Sequence, residues 1–438
     1  QFWVCLYTIF ENMVNSFIFI IIYSLVFSAR GKPAKQSFIK DFVVKIKCQN
    51  LSNLSRLREM SFTGDLGHRD SLDLLELFKD RKSGLFLVSK NIFSEVKAFL
   101  KVENVPFEIM KNDLDRKIKF EQLINRRQYF KTKFQRTDQG SISYYMRFVE
   151  IKQWLNEKAR QVSFMKLETL GHSEENREII LVKMSKDDSK PILWIDAGIH
   201  AREWISPSTA IFLINKLLEN DKNSMKLLED YQIYILPLLN PDGYEYTHEV
   251  NRMWRKNRVS TSYEDCKGVD LNRNYPYHWG ENGASPDPCS RIFQGSSPSS
   301  EKETKAVINK LTEIKTNVKL FITLHSFGQY IMSPYGYSKN RFPRQYYKLM
   351  SMGTSVSSFL QEMYGRTYQV GSSANLLYEA SGASDDYAAG ELRIPYSYTI
   401  ELPDRGRYGF LLPPTYIQSV GNQFFHTLIK FTENLSNL

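Results

Sequence analysis

Several features that would narrow the class of a protein are missing from this chain of 438 residues. There is no internal repeat, no low-complexity tract, and no CxxC pair or Cys/His cluster that would indicate a structural zinc site. The polar composition of disordered chains is missing too, because 42% of the residues are hydrophobic and only 24% are charged. The sequence predicts a folded protein, and its length admits two or three domains more readily than one.

The larger part of the chain also lacks an excess of either charge, although the net charge is +10. Residues 1–136 hold 24 Lys and Arg against 14 Asp and Glu, whereas residues 137–438 hold 34 of each kind. A nucleic-acid-binding protein is expected to carry a basic face on its main domain. We therefore expect no nucleic-acid partner.

No hydrophobic run is long enough to cross a bilayer, which takes about 20 residues. The eleven residues from Phe17 to Phe27 carry no charge and are followed by Ser-Ala-Arg at 28–30. This pattern is typical of a signal peptide, with Met13 as its start, and it predicts a secreted, extracellular protein without a stable membrane anchor. The alternative is an uncleaved amphipathic anchor.

Cysteine is scarce, with four residues at positions 5, 48, 266 and 289. Cys266 and Cys289 are the only pair in the neutral part of the chain. If the protein is secreted, we expect these two to form one disulfide bond.

The first third of the chain divides into segments by pattern. Residues 1–30 are the upstream segment and signal peptide, and residues 31–70, basic with little periodicity, predict a flexible leader. Apolar runs and an amphipathic helical pattern predict a small α+β module at residues 71–128. The basic leader could also bind an anionic surface such as heparin-like chains, which is compatible with an enzyme elsewhere in the chain.

A run of basic residues follows, at Arg126, Arg127, Lys131, Lys133 and Arg136. By composition it is either the solvated face of a helix or, over residues 129–139, a linker that a trypsin-like protease could cut.

From residue 140 to residue 438 the patterns of strands and helices alternate. Strand-like runs lie at 179–182, 192–197, 233–239, 320–324 and 396–400, and helical patterns at 149–160, 207–218, 303–312, 346–364 and 417–435. Nearly continuous apolar strands between amphipathic helices predict an α/β domain whose sheet is covered on both faces. Functional sites in such domains lie at the carboxyl ends of the strands.

Seven histidines are present, and three of them stand in an H-x-x-E arrangement. Only His200, with Glu203, follows a buried strand-like run and precedes a helical pattern. A catalytic zinc takes three protein ligands, and His325 ends a second apolar run at the same predicted sheet edge. His325 is thus either the third ligand or a hydrogen-bonded core residue. Asp270 is a candidate to orient a ligand histidine.

Seven motifs carry a resemblance to a known family. They are HAREWISP at 200–207, LNPDGYEY at 239–246, MWRKNR at 253–258, GVDLNRNY at 268–275, LHSFGQ at 324–329, LYEASGASDD at 377–386 and TIELPDRGRYGFLLP at 399–413. In this order they resemble the zinc metallocarboxypeptidases of the carboxypeptidase A/B family. Residues 71–128 resemble, more weakly, the activation domain of the procarboxypeptidases.

This resemblance implies a mixed-sheet α/β catalytic domain at 140–438, preceded by a small α+β activation domain. It also implies a disulfide between Cys266 and Cys289 and one Zn²⁺ ion held by His200, Glu203 and His325. The family's zymogens further imply a secreted monomer that is activated by a trypsin-like protease and acts on peptide or protein C-termini.

Roles for the remaining motif residues follow from the same resemblance. Glu401 matches the general base and proton donor, and Arg255 matches the group that stabilises the oxyanion. Arg273, with Asn272, fits recognition of the terminal carboxylate, for which a guanidinium offers a bidentate fork. The other matches are Tyr378 as a mobile tyrosine that closes over the carboxylate, Arg202 and Arg252 in the outer subsites, and Phe410 in the pocket wall.

Asp385 decides the predicted specificity. Counted from Tyr378, it occupies the base of the side-chain pocket, where carboxypeptidase B-like enzymes have aspartate and A-like enzymes have an apolar residue. The resemblance therefore implies release of C-terminal Lys and Arg, unless Asp385 points to solvent or pairs locally.

Three departures from the family pattern affect loop geometry. They are Pro403 in place of arginine, one residue inserted between Tyr387 and Glu401, and HSF at 325–327 in place of HSY. None removes a named group, although a silent relative that binds peptides without cutting them is the alternative to an enzyme.

Overall fold

The computed structural model of the chain describes residues 42–47, 72–77, 83–88, 93–110, 113–134, 142–219 and 221–436. The predicted signal peptide and most of the predicted leader lie outside these residues. Within them, no helix combines the length and the apolar character that crossing a bilayer requires.

Four strands and two helices form an N-terminal module, the described residues between 42 and 134. The strands are β1 (Phe42–Lys47), β2 (Leu72–Leu77), β3 (Ser83–Val88) and β4 (Phe107–Met110). They pair antiparallel in the order β2-β3-β1-β4. Helix α1 (Phe93–Val102) covers this sheet with Val96 and Leu100, both buried.

Two segments of the N-terminal module differ from the sequence prediction. Strand β1 lies inside the stretch predicted as a flexible leader, and it pairs with both β3 and β4. Helix α2 (Asp113–Phe134) runs through Arg126, Arg127, Lys131 and Lys133, so these residues belong to a helix. The boundary predicted at residue 128 therefore falls within α2.

The C-terminal unit, residues 142–436, contains eight strands and seven longer helices within the described chain. The strands are β5 (Met165–His172), β6 (Glu178–Met184), β7 (Ile192–Ala197), β8 (Gln232–Leu236), β9 (Val318–Ser326), β10 (Tyr330–Ser333), β11 (Gln369–Ser372) and β12 (Tyr396–Leu402). The helices are α3 (Phe148–Ala159), α4 (Ile205–Leu218), α5 (Lys222–Asp230), α6 (Pro241–Glu249), α7 (Lys302–Ile314), α8 (Tyr346–Tyr364) and α9 (Ile417–Ser436).

The eight strands form one mixed sheet in the order β11-β10-β12-β9-β7-β8-β6-β5. Its centre, from β12 to β8, is parallel, and every residue of β7 is buried, as expected for strands covered on both faces. One buried cluster joins α3, α4, α8 and α9 to the sheet, and a second joins α7 to the opposite face. The predicted α/β class is confirmed.

The motif LNPDG forms a helix start. Asn240 precedes α6, its side chain accepts a hydrogen bond from the backbone of Gly243 at 3.0 Å, and proline occupies the first helical position. A Cβ atom at Gly243 would lie 2.4 Å from the carbonyl oxygen of Lys256. Glycine is therefore required for α6 to approach the segment that carries Arg255.

The segment between Tyr387 and Glu401, where the resemblance implies one inserted residue, is irregular before the strand begins. Residues Tyr387–Glu391 form a π-helical turn, and Arg393 takes a left-handed conformation with φ of 60°. Strand β12 then pairs regularly with β9, so that Glu401 lies directly beside His325. The insertion leaves this register intact.

Candidate functional site

Three predicted metal ligands meet at the carboxyl ends of β7 and β9. Gly198 follows β7 with φ of +70°, which turns the chain toward His200, and α4 begins just after Glu203. His325 is the penultimate residue of β9. Their ligand atoms all lie within 4.8 Å of one another, and all three side chains are buried.

The hydrogen-bond pattern prepares this cluster for a cation. His200 Nε2 lies 3.2 Å from Asp270, so a proton on Nε2 leaves Nδ1 as a bare lone pair. That Nδ1 is 2.9 Å from Glu203 Oε1 and 3.1 Å from His325 Nδ1. These nitrogen and oxygen atoms all carry lone pairs and lie close together, and a bound metal ion would accept those lone pairs. The donor set, two imidazole nitrogens and one carboxylate, fits zinc.

The charge states of two ligands agree with this. Burial and the nearby Arg255 lower the pKa of His200, which favours the neutral imidazole. Burial raises the pKa of Glu203, but the two histidines outweigh it and hold the pKa well below the ordinary value. His325 differs: burial lowers its pKa, but Glu203 outweighs this and raises the pKa to about 9, so a bound cation would have to displace a proton from this histidine. A neutral imidazole and an ionised carboxylate are the forms that bind a metal.

Asp270 connects this cluster to Arg255. One carboxylate oxygen accepts from Arg255 Nε at 3.0 Å and Nη2 at 2.8 Å. The other faces His200 Nε2 and accepts the backbone N–H of Asn272 at 3.0 Å. Asp270 is fully buried, so it fixes the positions of both a ligand and a predicted oxyanion donor.

The Arg273 guanidinium uses two of its nitrogen atoms within the fold and leaves Nη2 without a partner among the described residues. Its Nε donates to the carbonyl of Gly283 at 2.7 Å and its Nη1 to the carbonyl of Asn272 at 2.8 Å. Nη2 is buried without a hydrogen-bond partner in the described chain, and the Tyr378 ring lies 5.9 Å from the guanidinium carbon. The Asn272 side chain instead accepts the backbone N–H of Ser384 at 3.0 Å, at the start of the segment that carries Asp385.

Glu401 also offers an unused polar atom. Its Oε2 is buried and has no hydrogen-bond partner among the described residues. Burial and the nearby Glu203 raise its pKa to about 8, and a cation at the ligand cluster would act in the opposite direction. A carboxyl group in this position can exchange a proton.

Two adjacent aspartates at the predicted pocket differ in their partners. Asp386 accepts the backbone N–H groups of Gly336 and Tyr337 at 2.7 to 3.0 Å, so its carboxylate is held within the fold. Asp385 is also buried, and its carboxylate accepts hydrogen bonds from neutral groups: Ser373 at 3.4 Å, the Thr399 side chain and backbone N–H groups at 385 and 386. It therefore pairs locally, but with no positively charged side chain among the described residues. Burial raises its pKa. Asp385 does not point to solvent.

The predicted outer-subsite residues lie beneath the N-terminal module. Arg252 is fully buried and pairs with Glu121 of α2, with contacts of 2.7 and 2.9 Å, while its guanidinium stacks 3.6 Å above the Trp204 ring. The Arg202 guanidinium lies 4.0 Å from the Phe410 ring. Ile118 of α2 packs in one buried cluster with Met253 and Leu411.

Sequence reasoning missed Glu121 and Ser373. Glu121 is a lone acid in the basic stretch 116–133, and an isolated opposite charge of this kind is a signal that could have been noticed. Ser373 offers no sequence signal, because it touches Asp385 only through the fold. The structure places the three predicted ligands in one cluster, connects it through Asp270 to Arg255, and joins Cys266 to Cys289 in a disulfide bond with a Cα–Cα distance of 4.7 Å.

Comparison with known proteins gives one consistent answer. The family model described as zinc carboxypeptidase matches residues 151–427, more than half of the chain. The chain belongs to the zinc carboxypeptidase family. It is 42% identical over 284 residues to carboxypeptidase B of Astacus astacus, covering 64% of this chain and 93% of that protein. It is 31% identical over 421 residues to carboxypeptidase A1 of Sus scrofa, covering 93% and 96%.

Solved structures of zinc carboxypeptidases share the fold described above. The crystal structure of thrombin activatable fibrinolysis inhibitor superposes with a TM-score of 0.76 at 30% identity, covering 92% of this chain and all of that one. The resemblance predicted from the seven motifs is confirmed. The chain is a metallocarboxypeptidase, an exopeptidase that hydrolyses peptides with zinc as its cofactor.

Proposed function

We propose that this carboxypeptidase is a secreted zymogen that, once activated, removes Lys and Arg from the C-termini of peptides and proteins. The observation that carries the specificity is the contrast between Asp385 and Asp386. The Asp385 carboxylate is buried and its hydrogen bonds come from neutral groups, so a cationic side chain would stabilise it, whereas a Leu or Phe side chain would leave its charge desolvated and without a counter-ion.

His200, Glu203 and His325 would hold the zinc ion of this enzyme. When bound there, zinc lowers the pKa of a water molecule and polarises the scissile carbonyl. Glu401 accepts a proton at its unused Oε2 and later delivers one to the leaving amine. Arg255, oriented by Asp270, donates hydrogen bonds to the developing oxyanion.

Recognition of a free C-terminus falls to Arg273. Its buried Nη2 has no partner among the described residues, and a substrate carboxylate would supply the missing acceptor in a charge-assisted hydrogen bond. Tyr378, beside this guanidinium, would close over the bound terminus. Asn272 would act by holding the start of the Asp385 segment through Ser384.

Latency would come from the N-terminal module. Glu121 forms an ion pair with Arg252, and Ile118 packs against Met253 and Leu411. These contacts would cover the surface along which a long substrate enters. A trypsin-like protease would release the module by cutting the basic segment before residue 140.

A panel of peptides that differ only in the C-terminal residue tests this proposal on trypsin-treated enzyme. We expect kcat/KM for Arg and Lys ends to exceed that for Phe and Leu ends by at least about tenfold, since an unpaired buried carboxylate costs about 1 to 3 kcal/mol. Asp385→Ile should reverse the order, while Glu379→Gln, a change in the adjoining loop, should preserve it. A preference of the parent enzyme for Phe would refute the specificity, although the peptidase assignment would stand.

A further inference from the structure

Helix α2 has two sides of different character. Ile118, Glu121 and Asn125 contact the C-terminal unit, and Asn125 exchanges hydrogen bonds of 2.7 and 3.2 Å with the backbone of Tyr145. The residues turned away from this contact are all exposed: Arg116, Lys119, Phe120, Leu123, Arg126, Arg127 and Lys131. At 3.6 residues per turn they occupy one side of the helix about 140° wide. We call these seven residues the outer face of α2.

Three of the five cations of the outer face have no counter-ion in the described part of the protein. Lys119, Arg127 and Lys131 make no ion pair with any described carboxylate. Arg127 and Lys131 stand four residues apart, a spacing at which like charges destabilise a helix. Glu121 cannot compensate them, because it is buried against Arg252. Lys119, Arg127 and Lys131 therefore form a row of positive charges without counter-ions among the described residues.

The shape of this charge selects among anions. Lys119 and Lys131 are twelve residues apart, so the row extends about 18 Å along the helix axis. Side chains diverge from a convex helix, which prevents them from enclosing a small anion. A lipid surface is less suited, since interfacial helices bury a continuous apolar face. Among the residues of α2 whose burial is described, the large exposed apolar side chains are Phe120 and Leu123, which are 54% and 63% exposed. Arg116 lies one turn before Phe120 and Arg127 one turn after Leu123, so this apolar patch is short and ends in a cation on both sides.

We propose that the outer face of α2 binds a linear sulfated polysaccharide, whose anionic groups follow the row of cations along the helix. The choice of a sulfated glycan among linear polyanions rests on the proposed secretion, which brings the protein to where such chains occur. Binding itself needs no peptidase activity, because the outer face is separate from the zinc site. The partner would attach to the N-terminal module while that module covers the C-terminal unit.

Binding of a heparin oligosaccharide to the uncut full-length protein tests this directly. The variant carries Lys119→Gln, Arg127→Gln and Lys131→Gln. The matched control carries Arg341→Gln, Arg344→Gln and Lys348→Gln, three exposed cations of the C-terminal unit with the same loss of charge. We expect the outer-face variant to bind at least about tenfold more weakly at physiological salt, and its slope of log Kd against log salt to fall by about two. The control should stay within about twofold of the parent.

Two outcomes would overturn the proposal. Equal weakening of both triple variants would show that only net charge matters. The parent could bind vesicles of phosphatidylcholine and phosphatidylserine more tightly than heparin and lose this binding in the double variant Phe120→Ser, Leu123→Ser. That result would assign the outer face to a membrane surface instead. Both triple variants alter only exposed side chains, and the double variant Lys119→Gln with Lys131→Gln provides the same comparison if the triple variant misfolds.

Discussion

At the scale of single residues, Asp270 holds two functional groups at once. One oxygen faces the ligand His200 and the other accepts two N–H groups of Arg255. Asp270→Asn keeps the shape of the side chain but replaces one carboxylate oxygen by an NH₂ group. That group cannot accept a hydrogen bond from either His200 or Arg255, so one of the two contacts is lost. We expect the affinity for zinc to fall about 10- to 100-fold, as for other residues that orient a metal ligand. Competition with a chelator of known affinity measures this.

The control for this change is Asp265→Asn, at an exposed position in the same region of the chain. It should leave zinc affinity and kcat/KM unchanged. Parent-like zinc affinity in Asp270→Asn would mean that the His200 orientation is set by other contacts.

Glu401 gives a second prediction at this scale. Glu401→Gln preserves size but cannot accept the proton at Oε2, so kcat should fall by about 10² to 10⁴-fold with zinc content unchanged. Steady-state kinetics and metal analysis on the same sample separate the two effects. Glu391→Gln, an exposed glutamate in the preceding turn, should behave like the parent. Retention of most of the turnover would place the base elsewhere.

The sequence predicts the metal ligands well for a physical reason. His200 and His325 each terminate an apolar run, and the carboxyl ends of parallel strands meet at one sheet edge. Glu121 could not be predicted in this way, because its partner Arg252 lies 131 residues away and the pair forms only when the two parts of the chain pack.

At the scale of elements, α2 links the N-terminal module to the proposed substrate path. Glu121→Gln removes one partner of a buried ion pair and leaves the Arg252 charge uncompensated, which costs about 3 to 5 kcal/mol. We expect the uncut protein to gain activity on a small C-terminal Arg substrate, by about tenfold or more, because the module is held less tightly. Initial rates before and after trypsin treatment measure this gain.

Glu108→Gln is the matched change, since Glu108 is an exposed glutamate of β4 in the same module. It should leave the uncut protein as inactive as the parent. Equal rates for uncut parent and uncut Glu121→Gln, with full activity of both after cutting, would show that the ion pair does not maintain latency.

Element prediction succeeds where burial is complete and fails where it is partial. Strands β7 and β9 are apolar almost throughout; the predicted bounds of β7 are those of the structure, and those of β9 are two residues short at each end. Strand β5, MKLETLGH at the sheet edge, mixes polar and apolar residues and has a register shift, so no run marks it. The basic run at 126–136 carries no apolar period, so its sequence fits both a helix face and a linker. The structure places residues 126–134 in α2, and residues 135–139 of the predicted linker lie outside the described residues.

At the scale of the whole molecule, zinc should contribute to stability. An ion that binds only the folded protein stabilises it by about 4 kcal/mol when its concentration is a thousandfold above Kd. Chelation should therefore lower the midpoint of thermal unfolding by several degrees, and added zinc should restore it. Calorimetry of parent and His325→Ala, each with and without chelator, checks this. A parent midpoint that is indifferent to chelation would contradict a zinc site built from these three ligands.

The pairing of Glu401 with His325 across β12 and β9 has a consequence for engineering. Neighbouring strands are held about 4.8 Å apart by backbone hydrogen bonds, so the separation of these two side chains is set by the ladder and not by any loop. Asp385 and Tyr378, by contrast, lie in the irregular segment between β11 and β12, which contains a π-helical turn and no regular pairing. New substrate preferences should therefore be obtainable by transplanting that segment as a cassette, while the reacting groups keep their mutual geometry.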